Sequence, residues 1–454
     1  MPFVCLNPTT GETIARYRAH SRTQLDQALA AAQAAQGAWR RRPLARRTPA
    51  LRALARGLRA QRDALAALAT AEMGKPITQA QAEVEKCALL CDYYAAQGAG
   101  LLADQLPAGA PANARVVHEP LGTILAIMPW NFPFWQVIRA VVPPLVAGNA
   151  VLLKPAPNVI GSTLALAREF ERAGFPRGLF QVILAETARI PELIADPRIH
   201  GVTLTGSTAA GKRVAALAGA AMKPGVFELG GSDPAIVLRD ADLDHAAEVC
   251  AQSRLLNSGQ SCVCAKRFIV EGAVLRDFTT RFVARIAARR VGDPADSATA
   301  VGPLARADLR DHLHTQVTRS LRLGARALLG GQPLPGPGFF YAPTVLAGVR
   351  AGMPAADEEL FGPVAAIIAV PDAATALRTA NASAYGLGAS LFTRNRRKGA
   401  TLARELEAGS VFINDLVRSC PELPFGGIKS SGYGRELGAW GAKAFVNTKT
   451  LWSA

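Results

Sequence analysis

The sequence predicts an α/β protein built on parallel, doubly wound sheets of the nucleotide-binding type, preceded by a helical segment. Two changes of texture along the chain carry that expectation. Alanine and leucine recur at helical spacing in residues 21–39 and 48–73, so residues 21–105 read as helices, with Ser21 and Thr48 as candidate N-caps. After Pro111 short β-rich runs take over at 123–128, 150–153, 180–184 and 201–205, alternating with amphipathic stretches such as 162–173. A second α/β series follows Glu228, with strands expected at 235–238 and 267–270 and helices at 243–256 and 274–290. The glycine- and proline-rich stretch 330–338 reads as a surface loop, and neither repeats nor a low-complexity linker interrupt the pattern.

Composition bounds the function. The chain has 454 residues, half of them hydrophobic, enough for two substantial cores. No apolar run approaches the roughly 18 residues of a membrane span. The start carries Asn7-Pro8-Thr9-Thr10-Gly11-Glu12, polar and turn-forming, so neither a signal nor a transit peptide is expected and a cytoplasmic location follows. Seven cysteines without a CxxC pair suggest a reduced compartment, with neither a metal site nor a disulfide framework. The net charge of +16 is spread over arginines set among alanine and leucine, with no interleaved aromatics to stack on bases. Nucleic acid is therefore not the expected partner.

Four segments carry chemistry. Pro129-Trp130-Asn131-Phe132-Pro133 follows a strand, and its two prolines fix the backbone around one asparagine. A rigid amide N–H is what a developing oxyanion requires, although a structural turn with a capping asparagine would read the same way. Gly206-Ser207-Thr208-Ala209-Ala210-Gly211 joins a strand to a helix and offers free N–H groups to a phosphate. The fingerprint GxGxxG is absent after any strand; its imitation at Gly98 follows a helical run. Glu228-Leu229-Gly230-Gly231 places a carboxylate beside two glycines that admit close approach. Asn257-Ser258-Gly259-Gln260-Ser261-Cys262 presents a cysteine in a glycine-bearing loop. The pair Cys262 and Glu228 reads as a nucleophile and a general base for water.

In this order and spacing the four segments resemble the aldehyde dehydrogenase superfamily, and the similarity runs essentially end to end. The resemblance implies the aldehyde dehydrogenase-like fold: two Rossmann-type domains and a small bridging β element through which protomers pair as a homodimer or homotetramer. It places a cofactor-binding domain at 1–110 and 130–227, a catalytic domain at 228–424, and the bridging element at 111–129 and 436–454. It implies Cys262 as thiolate nucleophile, Asn131 with the Cys262 N–H as oxyanion hole, and Glu228 as the base for deacylation. Trp130, Lys154, Pro157, Gly206, Ser207, Leu229, Glu359 and Phe361 fall on the cofactor positions. Among these, Lys154 is implied to hold the adenosine ribose and Ser207 the pyrophosphate, with Glu359 and Phe361 at the nicotinamide ribose and ring. Pro157 stands where many NAD-preferring members carry a glutamate, and its lack of charge beside Lys154 favours NADP while allowing NAD.

Within the superfamily, Phe227-Glu228-Leu229-Gly230-Gly231-Ser232-Asp233-Pro234 and Lys154-Pro155-Ala156-Pro157-Asn158-Val159 are most similar to bacterial succinate-semialdehyde dehydrogenases. Such a substrate ends in a carboxylate, and the resemblance implies Arg139, Arg418 and Ser419 as its binding residues. Arg139 lies about two helical turns after Asn131, on the same face, unless it is a helix arginine paired to an acid. Arg418 reads equally as a solvated loop residue. Cys264 is a candidate redox partner of Cys262, or a small residue filling space. The alternative substrate is another polar or aliphatic aldehyde.

Overall fold

The computed structural model describes residues 2–453. Met1 and Ala454, the outermost residues of the expected first and last segments, lie outside that range. Two sheets organise the chain. The first has six strands in the order Gly432–Tyr433, Gly225–Glu228, Ile199–Thr205, Thr123–Ile127, Ala150–Lys154, Phe180–Val182. All its pairings are parallel except that of Gly432–Tyr433, which runs antiparallel to Gly225–Glu228. The second has seven, in the order Arg326–Leu329, Thr344–Ala347, Val364–Val370, Ala265–Glu271, Asp233–Val237, Gly388–Phe392, Ser410–Ile413. Only the edge strand Arg326–Leu329 is antiparallel. The inner strands are near-continuous apolar runs because helices cover both faces of a parallel sheet. A strand of the six-stranded sheet ends at Glu228 and the first strand of the seven-stranded sheet begins at Asp233, so the chain crosses between them through residues 229–232.

The helical opening is Arg22–Trp39, Leu44–Ala60, Arg62–Met73 and Ile77–Leu101. Ser21 caps the first: its hydroxyl accepts the Gln24 N–H while the Gln24 side chain returns to the Ser21 N–H. Thr48 does not cap the next helix, which begins four residues earlier, after Pro43. Pro49 lies inside this helix and cannot donate to Ala45. Thr48 Oγ1 instead donates to that carbonyl at 3.5 Å, a long bond in place of the missing one.

Ala114–Pro120 pairs antiparallel with Val446–Trp452 in unbroken register, from Val446 opposite Pro120 to Trp452 opposite Ala114. This separate two-stranded element corrects the expected first bridging segment, which took in residues up to 129. Thr123–Ile127 belongs to the centre of the six-stranded sheet instead. Its first four residues are buried on both faces, whereas those of Ala114–Pro120 are largely half-exposed. Gly122, with φ +144°, divides the two, and a Cβ there would fall 2.4 Å from the His200 ring.

Candidate active site

A cleft of about 640 Å³ opens at the carboxyl ends of the six-stranded sheet. Such ends are where parallel sheets take ligands, because connecting loops and helix starts converge there. Thr123–Ile127 delivers Trp130 and Asn131 to the cleft, and Ile199–Thr205 delivers Gly206 and Ser207. Leu229 follows the strand Gly225–Glu228, while Cys262, Glu359 and Phe361 arrive from the second half of the chain. Lys154 and Pro157 are not part of this lining. Lys154 closes the adjacent strand, its carbonyl accepting the Met128 N–H at 3.1 Å, and Pro157 is exposed at the start of the next turn. Burial lowers the pKa of Lys154.

Ser207 caps the helix Thr208–Ala220, its hydroxyl accepting the Ala210 N–H at 3.3 Å. The first-turn N–H groups and the positive end of the helix dipole thus stand at the cleft wall formed by Ser207, Thr208 and Ala209. On the opposite wall Glu359 accepts the Gly231 N–H at 2.9 Å, and its other oxygen occupies space that a Cβ on Gly230 would fill, 2.5 Å away. Trp130 and Phe361 meet edge to face, with ring centroids 5.7 Å apart.

The loop carrying Cys262 is held from several sides. Asn257 and Ser258 both adopt positive φ (54° and 55°), a strained choice for side chains that the surroundings enforce. The Asn257 amide donates to the carbonyls of Asn131 (2.7 Å) and Gln260 (3.1 Å), and Ser258 Oγ accepts the Gly302 N–H. Fully buried Arg254 donates to the carbonyls of Gly259 (2.6 Å) and Ala265 (3.0 Å). Gly259 presses against Gly362 so closely that a Cβ would fall 2.4 Å from its backbone. Lys266 Nζ donates to the carbonyls of Ser261 and Cys262 and lies 3.6 Å from Glu359. The nucleophile candidate is fixed before any substrate arrives.

Asn131 sits across from it, 4% exposed, one amide N–H donated to Gln260 O at 3.0 Å. The second N–H of the same amide remains for a ligand oxygen. Burial pushes the Cys262 thiol up to about 12, and the charge of Glu228 adds to this; Arg139 and Lys266 pull the other way. A resting thiol that is protonated needs a base, and Glu228 is the carboxyl whose charge Cys262 feels most. Glu228 is 1% exposed and neither carboxyl oxygen has a hydrogen-bond partner among the described residues. Its pKa is raised, by burial first and by Glu436 in addition, against the pull of Arg139.

The expected carboxylate-binding residues are redistributed. Arg139 reaches the site but is no free cation: its Nε lies 2.5 Å from Glu436 Oε2 and its Nη2 3.9 Å from Glu228 Oε2, with the guanidinium over the Phe425 ring. Of the two readings open for Arg139, the structure shows the helix arginine paired to a buried acid. Arg418 is exposed and paired to Asp415 at 2.7 Å, the solvated loop residue. Ser419 is half-buried, and its hydroxyl accepts from Lys86 Nζ at 2.9 Å. Cys264 is a buried free thiol donating to Leu256 O at 3.4 Å, and Cys262 is free as well.

Sequence reasoning missed Glu436, Lys266, Gln260 and Lys86. Gln260 and Lys266 flank Cys262 closely enough to have been weighed with it. Glu436 and Lys86 are remote along the chain and carried no local signal.

Over residues 2–451 the chain matches the family model described as aldehyde dehydrogenase family. It is 47% identical to succinate semialdehyde dehydrogenase (NAD(P)+) Sad of Escherichia coli strain K12, covering 99% of this chain and 97% of that one. It is also 47% identical to a probable succinate-semialdehyde dehydrogenase (NADP(+)) of Synechocystis, each chain covered in full. Succinic semialdehyde dehydrogenase from Streptococcus pyogenes, solved in complex with NADP+, superposes with a TM-score of 0.96 at 36% identity over 99% of both chains. With its two parallel sheets and a match along nearly its whole length, the chain belongs to the aldehyde dehydrogenase family.

Proposed function

We propose that this enzyme oxidises succinic semialdehyde to succinate, with NADP+ preferred and NAD+ accepted. The observation that carries the chemistry is the meeting of Cys262 and Asn131 at one cleft, with the buried Glu228 close by. The substrate and cofactor come from the relatives at 47% identity, and the uncharged Pro157 beside Lys154 supports NADP+.

The cleft suits a dinucleotide. Thr205 lines it with a buried hydroxyl that has no hydrogen-bond partner among the described residues, next to the helix start capped by Ser207. Ser207 would hold the pyrophosphate, Lys154 the adenosine ribose, Glu359 the nicotinamide ribose, and Phe361 with Trp130 the ring. When bound, the nicotinamide accepts the hydride. Residues 1–110 and the six-stranded sheet then form the cofactor-binding domain, and the seven-stranded sheet the catalytic one.

Cys262 Sγ attacks the aldehyde carbon as its proton passes to Glu228. The oxygen that becomes negative is met by the free Asn131 N–H and the Cys262 backbone N–H. Loss of hydride leaves an acyl group on Cys262 as a thioester. Glu228, deprotonated again, takes a proton from water; the hydroxyl adds to the acyl carbon and the C–S bond breaks. Succinate leaves and the thiol is restored.

The half-exposed strand pair Ala114–Pro120 and Val446–Trp452, with Leu451 and Trp452 on the surface, is our candidate contact between protomers of a dimer or tetramer. The test of function is kcat/KM for succinic semialdehyde against butanal, with NADPH and NADH formation read in parallel. A strong preference for the charged aldehyde supports the assignment. Equal values leave the aldehyde dehydrogenase chemistry standing and remove succinic semialdehyde as the substrate.

A further inference from the structure

The helix Trp135–Ala147 begins four residues after Asn131, and Phe134 at its N-cap has no side-chain oxygen to accept from the first turn. A residue of another helix does so instead. Glu83, on Ile77–Leu101, accepts the N–H of Phe134 at 2.8 Å and that of Trp135 at 2.9 Å, both on Oε1. Its other oxygen pairs with Lys75 Nζ, and that ammonium stands 3.8 Å from the centroid of the Phe132 ring. Both side chains are buried, Glu83 4% exposed and Lys75 not at all.

A buried ion pair is a poor source of stability, because taking both charges out of water offsets most of their attraction. The contacts of this pair show what it fixes: they fall on Phe132, Phe134 and Trp135, directly after Asn131. From the other side Asn131 is held by the loop of the nucleophile. Its amide donates to Gln260 O at 3.0 Å, and its carbonyl accepts from Asn257 at 2.7 Å. The turn is thus clamped between Glu83 and the Cys262 loop. Nor can the helix behind Glu83 shift freely, since Gly98 backs onto Val146 so closely that a Cβ would fall 2.8 Å from its side chain. A carboxylate on two N–H groups at the positive end of a helix is a stiffer clamp than a neutral cap. Stiffness matters at this place, because a misplacement of about 1 Å in a reacting site lowers the rate on the order of 100-fold.

We infer that Glu83, its charge balanced by Lys75, is a positioning residue for the oxyanion donor: it holds the turn 131–135 so that the free Asn131 N–H points at the oxygen forming beside Cys262. This rests on the proposed aldehyde chemistry and adds the pair that orients its oxyanion hole. Glu83 and Lys75 are not part of the cleft lining and act through Asn131.

The experiment is a double-mutant cycle on single-turnover NADPH formation from succinic semialdehyde at saturating NADP+. It compares the native enzyme, Glu83→Gln, Asn131→Ala and the double variant. Glu83→Gln keeps an acceptor oxygen and removes the charge. It should slow NADPH formation about 30-fold in the native background and less than about threefold in Asn131→Ala, where the group it positions is gone. Alkylation of Cys262 by iodoacetamide, followed by peptide mass spectrometry, is the control. The thiolate there displaces iodide and no oxyanion forms, so the rate should stay within about threefold of native. Three results overturn the inference: no loss in Glu83→Gln, the same loss in both backgrounds, or a fall in alkylation as large as that in NADPH formation. Should Glu83→Gln not fold, Lys75→Met/Glu83→Gln, which buries no unpaired charge, goes through the same cycle with the same outcomes. A native enzyme that forms no NADPH from succinic semialdehyde or butanal fails the proposed chemistry, and the inference with it. A native enzyme that does so while Glu83→Gln is unimpaired fails the role of Glu83 alone.

Discussion

Glu436→Gln should move the pH dependence of deacylation toward acid. Glu228 and Glu436 share the guanidinium of Arg139, at 3.9 Å from its Nη2 and 2.5 Å from its Nε, so the two carboxyl groups flank one cation and their titrations interact. Both are held above the ordinary carboxylate range, burial being the larger cause for each. With both ionised, two negative charges face one positive charge in a dry site. At a separation on the order of 6 Å and an effective permittivity near 20, their mutual repulsion is worth roughly 3 kcal/mol, or about two pH units. Removing the Glu436 charge deletes that repulsion and leaves Arg139 to Glu228 alone; both effects favour ionised Glu228. The base is active when deprotonated, so the acid limb of the deacylation rate should fall by one to two pH units. The assay is stopped-flow NADPH formation with butanal: the burst reports acylation, and the steady rate after it reports turnover of the thioester. A limb that stays in place, or moves upward, would refute the coupling through Arg139 and locate the perturbation of Glu228 elsewhere.

Two further outcomes follow from the same geometry. Asn131→Ala removes the free oxyanion donor and one anchor of the Cys262 loop, so kcat for hydride transfer should drop about 10²- to 10³-fold while NADP+ affinity, measured by fluorescence titration, changes little. A large loss of cofactor binding instead would assign Asn131 to the cofactor. Pro157→Glu places a carboxylate at an exposed position beside Lys154 and should raise KM for NADP+ by about 10-fold, while that for NAD+ holds or falls. An unchanged NADP+/NAD+ ratio would remove Pro157 from cofactor selection.

The alternation of short β runs and helices after Pro111 was enough for the parallel sheets, because a strand buried on both faces reads as an apolar run in the sequence itself. The motifs around Asn131, Ser207, Glu228 and Cys262 were equally legible. Each lies where a strand or helix gives way to a loop, and each depends on local backbone geometry that prolines, glycines and small polar residues encode. Trp130, Gly206, Leu229, Glu359 and Phe361, placed by resemblance, all reach the same cleft. Two boundaries differ from the sequence reading: the helix expected to start at Thr48 starts at Leu44, and residues 123–127 belong to the six-stranded sheet and not to the bridging element.

What the sequence by itself determined is the set of candidate reacting groups and the sheets that present them, since both follow from patterns a few residues long. The tertiary structure decided the charges around them. Whether Arg139 is free depends on Glu436, 297 positions away along the chain (436 − 139). Whether Lys86 meets an acid or a hydroxyl depends on Ser419, 333 positions away. A side chain's charge in a buried site is fixed by its spatial neighbours, and no spacing along the chain specifies which distant residue burial will bring to it.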